Sequence, residues 1–362
     1  MRRTAWRILA LGLLAVLACA PAATPSAPQA GSSAGAPPAS APPASAAARP
    51  TAPAPVTLSY AHPVISSLYW HIFVGQDMGL FADEGITLET VFVAGGVPAI
   101  TQGTVGGAYQ VASISAEAGI IAVEQGAPLV YVGGEAHKAV FSIVVQPEIT
   151  SWADFKGQER VIGAASVRGG TSTVFRSILR AQGLQDGPDY SFVAAGSTSE
   201  RVAALRNKAI AAGLMAQPQD FMMQDAGFRS LGLTSDFLPN YAIGEIAVRR
   251  DWAQANEDVV VRYLRANTRA LQWLYDPANR AEALAMLEKY TRTEPEYAAR
   301  SYDLLVDRLQ MFARNGELDP AAFEGTMKVL VDEGDLPAPA PPVSKYLDTH
   351  YWEKAIADVG RR

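Results

Sequence analysis

From Val56 to Arg249 the chain alternates short runs rich in β-branched and aromatic residues with stretches of helical spacing. Such alternation predicts an α/β layer fold with a largely parallel sheet. The pattern restarts near Trp152, where a short helical turn precedes the strand expected at 160–164. The sequence therefore predicts two α/β halves whose sheets are mixed but mostly parallel.

After Asp251 the pattern becomes helical only, with Asp, Asn or Pro at the expected starts. We expect helices at 256–275, 280–290, 295–314 and 320–333, and a last short helix at 346–359. Among the α/β elements, we expect helices at 67–81, 115–124, 170–182 and 197–206. The strand at 241–249 is expected to cross back to the first half.

Residues 20–55 are almost entirely Ala, Pro, Ser, Gly and Thr. Such a segment buries too little apolar surface to offset its ordering entropy, so we expect a semi-stiff disordered tether. The remainder, from Val56 onward, is long enough for two domains of ordinary size. The net charge of −6 and the lack of a Lys/Arg run in this part disfavour a nucleic-acid partner.

Cys19 is the single cysteine of the chain, and it follows a basic start and an apolar run at 8–17. That run is shorter than the roughly 20 residues of a bilayer span, and the order of its parts is typical of a secretory signal peptide. Residues 16–19, Val-Leu-Ala-Cys, resemble the lipobox of bacterial lipoproteins. The resemblance implies lipidation of Cys19 and anchoring at the outer face of a membrane. Ordinary signal cleavage near 18–22 remains the alternative.

Catalytic and metal-binding signatures are poor. A G-x-S-x-G match at 31–35 lies in the predicted tether, without the strand and helix that a nucleophile elbow needs. The four histidines are scattered, and the chain lacks the zinc-site spacings and the glycine pattern of a dinucleotide site. We therefore expect no cofactor, no metal and no enzymatic activity.

The segment 164–172 is the strongest candidate for ligand contact, because it follows a predicted strand and opens a predicted helix. Its glycines allow a close approach of the backbone, and free N–H groups at a helix start attract polar ligands. Candidate residues are Arg168, Gly169, Gly170, Thr171 and Ser172. A tight turn with a solvated Arg168 is the structural alternative.

The first half presents matching candidates after its own predicted strands, where ligands sit in open α/β sheets. These are Ser66, Ser67, Tyr69, Gly95, Gly96, Ser113 and Ser115. Hydroxyls orient a small solute and aromatic rings supply contact area. Tyr69, like its neighbour Trp70, is equally compatible with a place in the core.

An ordered set of motifs runs through most of the chain from Val56 onward. It comprises Gly-Leu-Phe-Ala-Asp-Glu-Gly-Ile at 79–86, Trp-Ala-Asp-Phe-Lys-Gly at 152–157, Gln-Gly-Leu at 182–184, Ala-Ala-Leu at 203–205, Ala-Gln-Pro at 216–218 and Arg-Arg-Asp-Trp at 249–252. The set resembles the solute-binding proteins of ABC importers for nitrate, sulfonates, taurine and thiamine-pyrimidine precursors. Two positions depart from that family's usual pattern, because 103–109 and 207–211 lack the expected Asp.

The resemblance implies a type II periplasmic-binding-protein-like fold, whose two lobes close on one solute by a hinge, and adds Gln217 to the cleft. The implied division is signal peptide 1–19, tether 20–55, first lobe 56–145 with 245–345, second lobe 146–244, and C-terminal helix 346–362. The implied function is that of a monomeric, extracytoplasmic protein that delivers a small-molecule solute to an ABC permease. A solute sensor and a pyrimidine-precursor synthase remain as alternatives, although the missing cysteines disfavour the synthase.

Overall fold

The computed structural model describes residues 54–167 and 169–359. The strands are β1 (Val56–His62), β2 (Ile86–Phe92), β3 (Val111–Ile114), β4 (Leu129–Ala136), β5 (Ser142–Val145), β6 (Arg160–Ala164), β7 (Tyr190–Ala194), β8 (Ala212–Met215), β9 (Arg229–Leu233) and β10 (Gly244–Arg249). The expected signal peptide with its lipidation site, Cys19, lies outside the described residues, as do residues 20–53 of the expected tether and Arg168.

Helices separate the strands and form the C-terminal third. They are α1 (Trp70–Asp77), α2 (Leu80–Asp83), α3 (Gly96–Val105), α4 (Ala116–Glu124), α5 (Thr171–Ala181), α6 (Thr198–Arg206), α7 (Gln219–Asp225), α8 (Thr234–Phe237), α9 (Arg250–Ala255), α10 (Glu257–Leu274), α11 (Arg280–Thr291), α12 (Pro295–Tyr302), α13 (Pro320–Glu333) and α14 (His350–Asp358). Within the described residues, the structure contains no helix of the length and apolarity that a membrane crossing requires.

The first sheet has the strand order β2-β1-β3-β10-β4. β1 pairs in parallel with β2 and β3, whereas β10 pairs antiparallel with both β3 and β4. Four strands therefore share one direction and β10 opposes them. This arrangement confirms that the strand ending at Arg249 returns to the first half of the molecule.

The second sheet has the order β7-β6-β8-β5-β9 and repeats the same plan. β6 pairs in parallel with β7 and β8, and β5 runs antiparallel between β8 and β9. The fold is thus the predicted α/β arrangement with mixed, mostly parallel sheets. The expected first lobe, 56–145, included β5, but β5 belongs to the second sheet. The chain therefore changes sheet between β4 and β5, one strand earlier than expected.

The chain passes between the sheets twice, from β4 to β5 and from β9 to β10. Thr234 ties these two passages together: its hydroxyl donates to the Ala139 carbonyl at 2.6 Å and accepts from the Phe141 N–H at 3.0 Å. Both bonds are buried. The two connections are consequently held side by side at the base of the two lobes.

Two predicted helices end earlier than their spacing suggested. The helix expected at 67–81 is interrupted at Gly79, whose φ of 68° lies in the left-handed region that favours glycine. The helix expected at 295–314 ends in a π-helical turn at Asp303–Arg308. Beyond it, Phe312 forms a β-bridge to Ala136 and is buried against the core, so tertiary pairing replaces the last helical turn.

Candidate functional site

A cavity of about 1220 Å³ lies between the two sheets. Its walls come from the segments that follow β1, β2 and β3 in one lobe and β6 and β7 in the other. These are the carboxyl ends of parallel strands, where ligands bind in open α/β sheets. The two crossing segments contribute Phe141 and Ile243. This cavity is called the cleft below.

Helices α3 and α4 form the first-lobe wall. Val97, Thr101 and Val105 line the cleft from α3 at helical spacing, and Ala118 and Ile121 do so from α4. Each set recurs every three or four residues, so one face of each helix meets the cleft. The wall is therefore mostly aliphatic.

The second-lobe wall consists of two glycine-containing turns. One comprises residues 165–166 and 169–171, where the Thr171 hydroxyl accepts a 3.0 Å hydrogen bond from the Ala165 N–H. The other precedes α6, where Ser197 and Glu200 form a capping box. Both turns place backbone against the cleft, because the glycines carry no side chain there.

Glu117 connects the two walls. It starts in α4 of the first lobe, and its Oε1 accepts the Gly170 N–H of the second lobe at 2.6 Å. Its Oε2 accepts the Tyr241 hydroxyl at 2.9 Å. Burial raises the pKa of Glu117 to about 7, although these hydrogen bonds act in the opposite direction. The Glu117 carboxyl group thus links the two lobes, and its protonation state changes near neutral pH.

Glu135 lines the cleft at the end of β4. Its Oε1 accepts the Tyr60 hydroxyl at 2.7 Å and lies 3.4 Å from His71 Nε2. Its Oε2 accepts no hydrogen bond from the described residues. Both partners are fully buried, and burial raises the pKa of Tyr60 well above 10. A buried carboxylate oxygen without a donor favours a ligand that brings one.

A second buried acid, Glu245, lies behind Glu135 and accepts the Glu135 N–H at 3.0 Å. His137 lies 3.6 Å from Glu245 and 3.9 Å from Glu317. Burial alone lowers the pKa of His137, but the two carboxylates outweigh it and raise that pKa to about 10. Glu245 and Glu317 therefore favour the protonated form of His137. Among the described residues, no group of acids, histidines or cysteines has the arrangement of a metal site.

Arg201 is the basic residue among the described lining residues, and it is 3% exposed. Its guanidinium donates to the Leu214 carbonyl at 3.0 Å, to the Gly196 carbonyl, and to the Thr198 hydroxyl at 3.2 Å. Burial lowers the pKa of Arg201 to about 10. Its donors hold the turn before α6 in place, which is a structural role.

Most of the predicted contact residues meet in this cavity. The lining includes Tyr69, Gly95, Gly96, Ser113, Ser115, Gly169, Gly170 and Thr171. Trp70 is instead part of the core, where its indole N–H donates to the Ala283 carbonyl at 2.9 Å. The serine before α4 also caps that helix by accepting from the Ala118 N–H at 3.4 Å.

Four predicted residues do not line the cleft. Ser66 caps the short helical turn at Ser67–Tyr69. The Ser67 hydroxyl donates to the Gln217 carbonyl at 2.9 Å, and the Gln217 side chain donates to the Val140 carbonyl at 3.0 Å. The Ser172 hydroxyl donates to the Gly169 carbonyl at 3.0 Å. The three hydroxyls and the amide nitrogen of Gln217 thus form hydrogen bonds within the protein instead, whereas Gln217 Oε1 accepts none from the described residues.

Sequence reasoning missed the acids and the α3 and α4 faces. Glu117 and Glu135 carry no local motif, since their partners Gly170 and Tyr60 lie 53 and 75 residues away. The helical spacing of Val97 and Thr101 is visible in the sequence, but the same spacing is typical of a helix face that packs in the core.

The two-lobed α/β fold with a cleft between its sheets is that of periplasmic binding proteins, as solved structures show. The ligand-binding component of an ABC-type import system from Staphylococcus aureus aligns with a TM-score of 0.68 and 13% identity, over 84% of this chain and 99% of that one. The nitrate-binding protein NrtA from Synechocystis PCC 6803 aligns with a TM-score of 0.69 and 16% identity, over 85% and 90%. The alkanesulfonate-binding protein SsuA from Xanthomonas axonopodis pv. citri gives 0.65 and 17%, over 82% and 100%.

The sequence itself defines the family. Residues 52–288 match the NMT1-like family, and the chain belongs to it. The resemblance drawn from the ordered motifs is thereby confirmed. Among curated proteins, no sequence match was found.

Proposed function

We propose that this chain is a lipid-anchored, extracytoplasmic binding protein that captures a small solute in the cleft and delivers it to an ABC permease. The observation that carries the proposal is the cleft itself, because its lining comes from both lobes. Two segments that Thr234 ties together carry the chain from one sheet to the other. A solute held by both walls favours the closed arrangement by its differential affinity for it. The structurally similar proteins are described as binding components for nitrate and alkanesulfonate.

A binding role agrees with the chemistry of the lining. The described lining residues hold hydroxyls, glycine backbone and apolar side chains. Glu117 accepts hydrogen bonds within the protein, and Glu135 accepts one through Oε1. Such a site recognises a molecule without attacking it. A dissociation constant near 1 μM corresponds to about 8 kcal/mol, which one cleft supplies.

The decisive experiment is native mass spectrometry of the purified protein, followed by identification of any small molecule released on unfolding. The proposal expects one bound solute per chain, a rise in melting temperature on adding it back, and uptake by membrane vesicles that carry the partner permease. Conversion of the solute into a product, or uptake that does not require this chain, would contradict the proposal.

The anchor is tested separately. Cys19→Ser is expected to move the protein from the membrane fraction to the soluble extracytoplasmic fraction and to abolish labelling with radioactive palmitate. Ala18→Ser keeps a small residue before the cysteine and serves as the control that retains labelling. Labelling that survives Cys19→Ser would refute lipidation at this residue.

A further inference from the structure

The size and apolarity of the cleft exceed what an inorganic oxyanion occupies. Pockets for drug-sized ligands enclose about 300–1,000 Å³, and the cleft has about 1220 Å³. Its apolar lining includes Leu68, Phe92, Val97, Ile121, Phe141 and Ile243. Phe92 remains 50% exposed, so a hydrophobic ring lies open to water at this wall. An apolar solute gains binding free energy by covering this ring and removing its surface from water, whereas a hydrated anion does not.

The charges of the lining also oppose an anion. The described lining residues include the acids Glu117, Glu135 and Glu200, and one base, Arg201. That arginine already donates to two carbonyls and a hydroxyl. An entering oxyanion would therefore meet three carboxyl groups and a guanidinium that already donates three of its five N–H groups to the protein.

Protein carboxylates already occupy the helix starts that attract anions in this fold class. Glu117 accepts the N–H of Gly170, which precedes α5. Glu200 accepts the N–H of Ser197, which precedes α6, at 2.6 Å. Helix N-termini bind anions through such N–H groups. Glu117 of the first lobe and Glu200 of the second lobe therefore already place protein carboxylates at the two helix starts where a solute anion would bind.

We propose that the cleft takes an uncharged, largely apolar organic solute of at least two-ring size that carries an N–H or O–H donor, and that it discriminates against oxyanions. The donor is required by Glu135 Oε2, which is buried and accepts no hydrogen bond from the described residues. The inference rests on the proposed function and specifies its substrate class.

Two fluorescent probes that share one skeleton test the proposal. N-phenyl-1-naphthylamine is neutral and has an N–H donor, whereas 8-anilinonaphthalene-1-sulfonate adds only a sulfonate. Titrated at pH 8 into the secreted Cys19→Ser chain, the neutral probe is expected to bind at least tenfold more tightly. Nitrate and taurine at millimolar concentration are expected not to displace it.

Variants locate the bound probe and its charge preference. Ala118→Trp fills the first-lobe wall and is expected to abolish binding, whereas Ala203→Trp, on the exposed side of α6, is not. Glu117→Gln removes one carboxylate. It is expected to reduce the ratio of the two dissociation constants, sulfonate probe over neutral probe, several-fold. Binding that persists in Ala118→Trp would place the probe outside the cleft and overturn the inference.

Tighter binding of the anionic compounds would separate the inference from the proposed function. If the sulfonate probe, nitrate or taurine binds more tightly than the neutral probe, the inference fails while solute capture stands. Loss of that anion binding in Arg168→Ala would then assign the anion site to Arg168. If no compound binds, the inference also fails, and the proposed function is decided by the solute that co-purifies.

Discussion

The backbone N–H of Gly170 donates a 2.6 Å hydrogen bond to Glu117 Oε1, and this bond joins the loop before α5 to helix α4 across the cleft. Gly170 has φ 61° and ψ −128°, a conformation that only glycine adopts readily. The side chain of Glu117 is meanwhile fixed from the other side by Tyr241. A loop conformation that requires glycine and a buried acid thus join the two lobes at this point.

Replacing Gly170 is expected to cost stability through strain alone, because a Cβ at this position meets no atom within 4 Å. Gly170→Ala should lower the free energy of unfolding by about 1–3 kcal/mol. Gly183→Ala is a matched control, since Gly183 also has positive φ and open space but follows α5 rather than lining the cleft. Both should lose stability in chemical denaturation, and only Gly170→Ala should also weaken solute binding. Equal binding by the two variants would contradict the bridging role.

Glu117 predicts a particular dependence of stability on pH. Its pKa rises from 4.5 in the unfolded chain to about 7 in the fold, so its contribution is complete below pH 4.5 and is lost as pH rises through 7. Between pH 4.5 and 8 the wild type should lose roughly 3 kcal/mol relative to Glu117→Gln. Urea unfolding of both proteins across this range measures the difference. Parallel stability curves would show that the carboxyl does not titrate in this window.

Arg201 is expected to matter for the turn that precedes α6. Arg201→Met removes the donors to two carbonyls and a hydroxyl in a buried place, and should cost about 2–4 kcal/mol. Arg206→Met changes an exposed arginine on the same helix and should cost less than about 0.5 kcal/mol. Urea midpoints for the two variants give the comparison. A small effect of Arg201→Met would mean that water replaces the guanidinium.

Two neighbouring ion pairs on α10 differ in burial, so they should contribute differently to the free energy of unfolding. Arg265 donates to the fully buried Glu84 at 2.9 and 2.6 Å, whereas Arg269 reaches the half-exposed Asp83 at 3.1 Å. Arg265→Met removes the guanidinium that donates two hydrogen bonds to a buried carboxylate and should cost about 3–5 kcal/mol. Arg269→Met should cost below about 1 kcal/mol. Similar losses in thermal unfolding would argue against the importance of burial.

Helix boundaries that are set by residues close in sequence could be predicted from the sequence. Helix α13 begins at Pro320 and ends at Glu333, as the Asp-Pro start and the terminal glycine indicate. The cap at Ser197 with Glu200 was equally predictable, because a capping box needs only residues i and i+3. The alternating pattern fixed the α/β class and the places where strands give way to cleft-lining turns.

Tertiary structure alone decided which polar groups remain for a solute. The Ser67 hydroxyl donates to the backbone carbonyl of Gln217, 150 residues away, whereas Glu117 and Glu135 enter the lining without any local motif. Sheet pairing and the packing of distant segments select these partners, and neither leaves a trace in short-range spacing. The same long-range pairing of Phe312 with Ala136 ended a helix that its own periodicity would have continued.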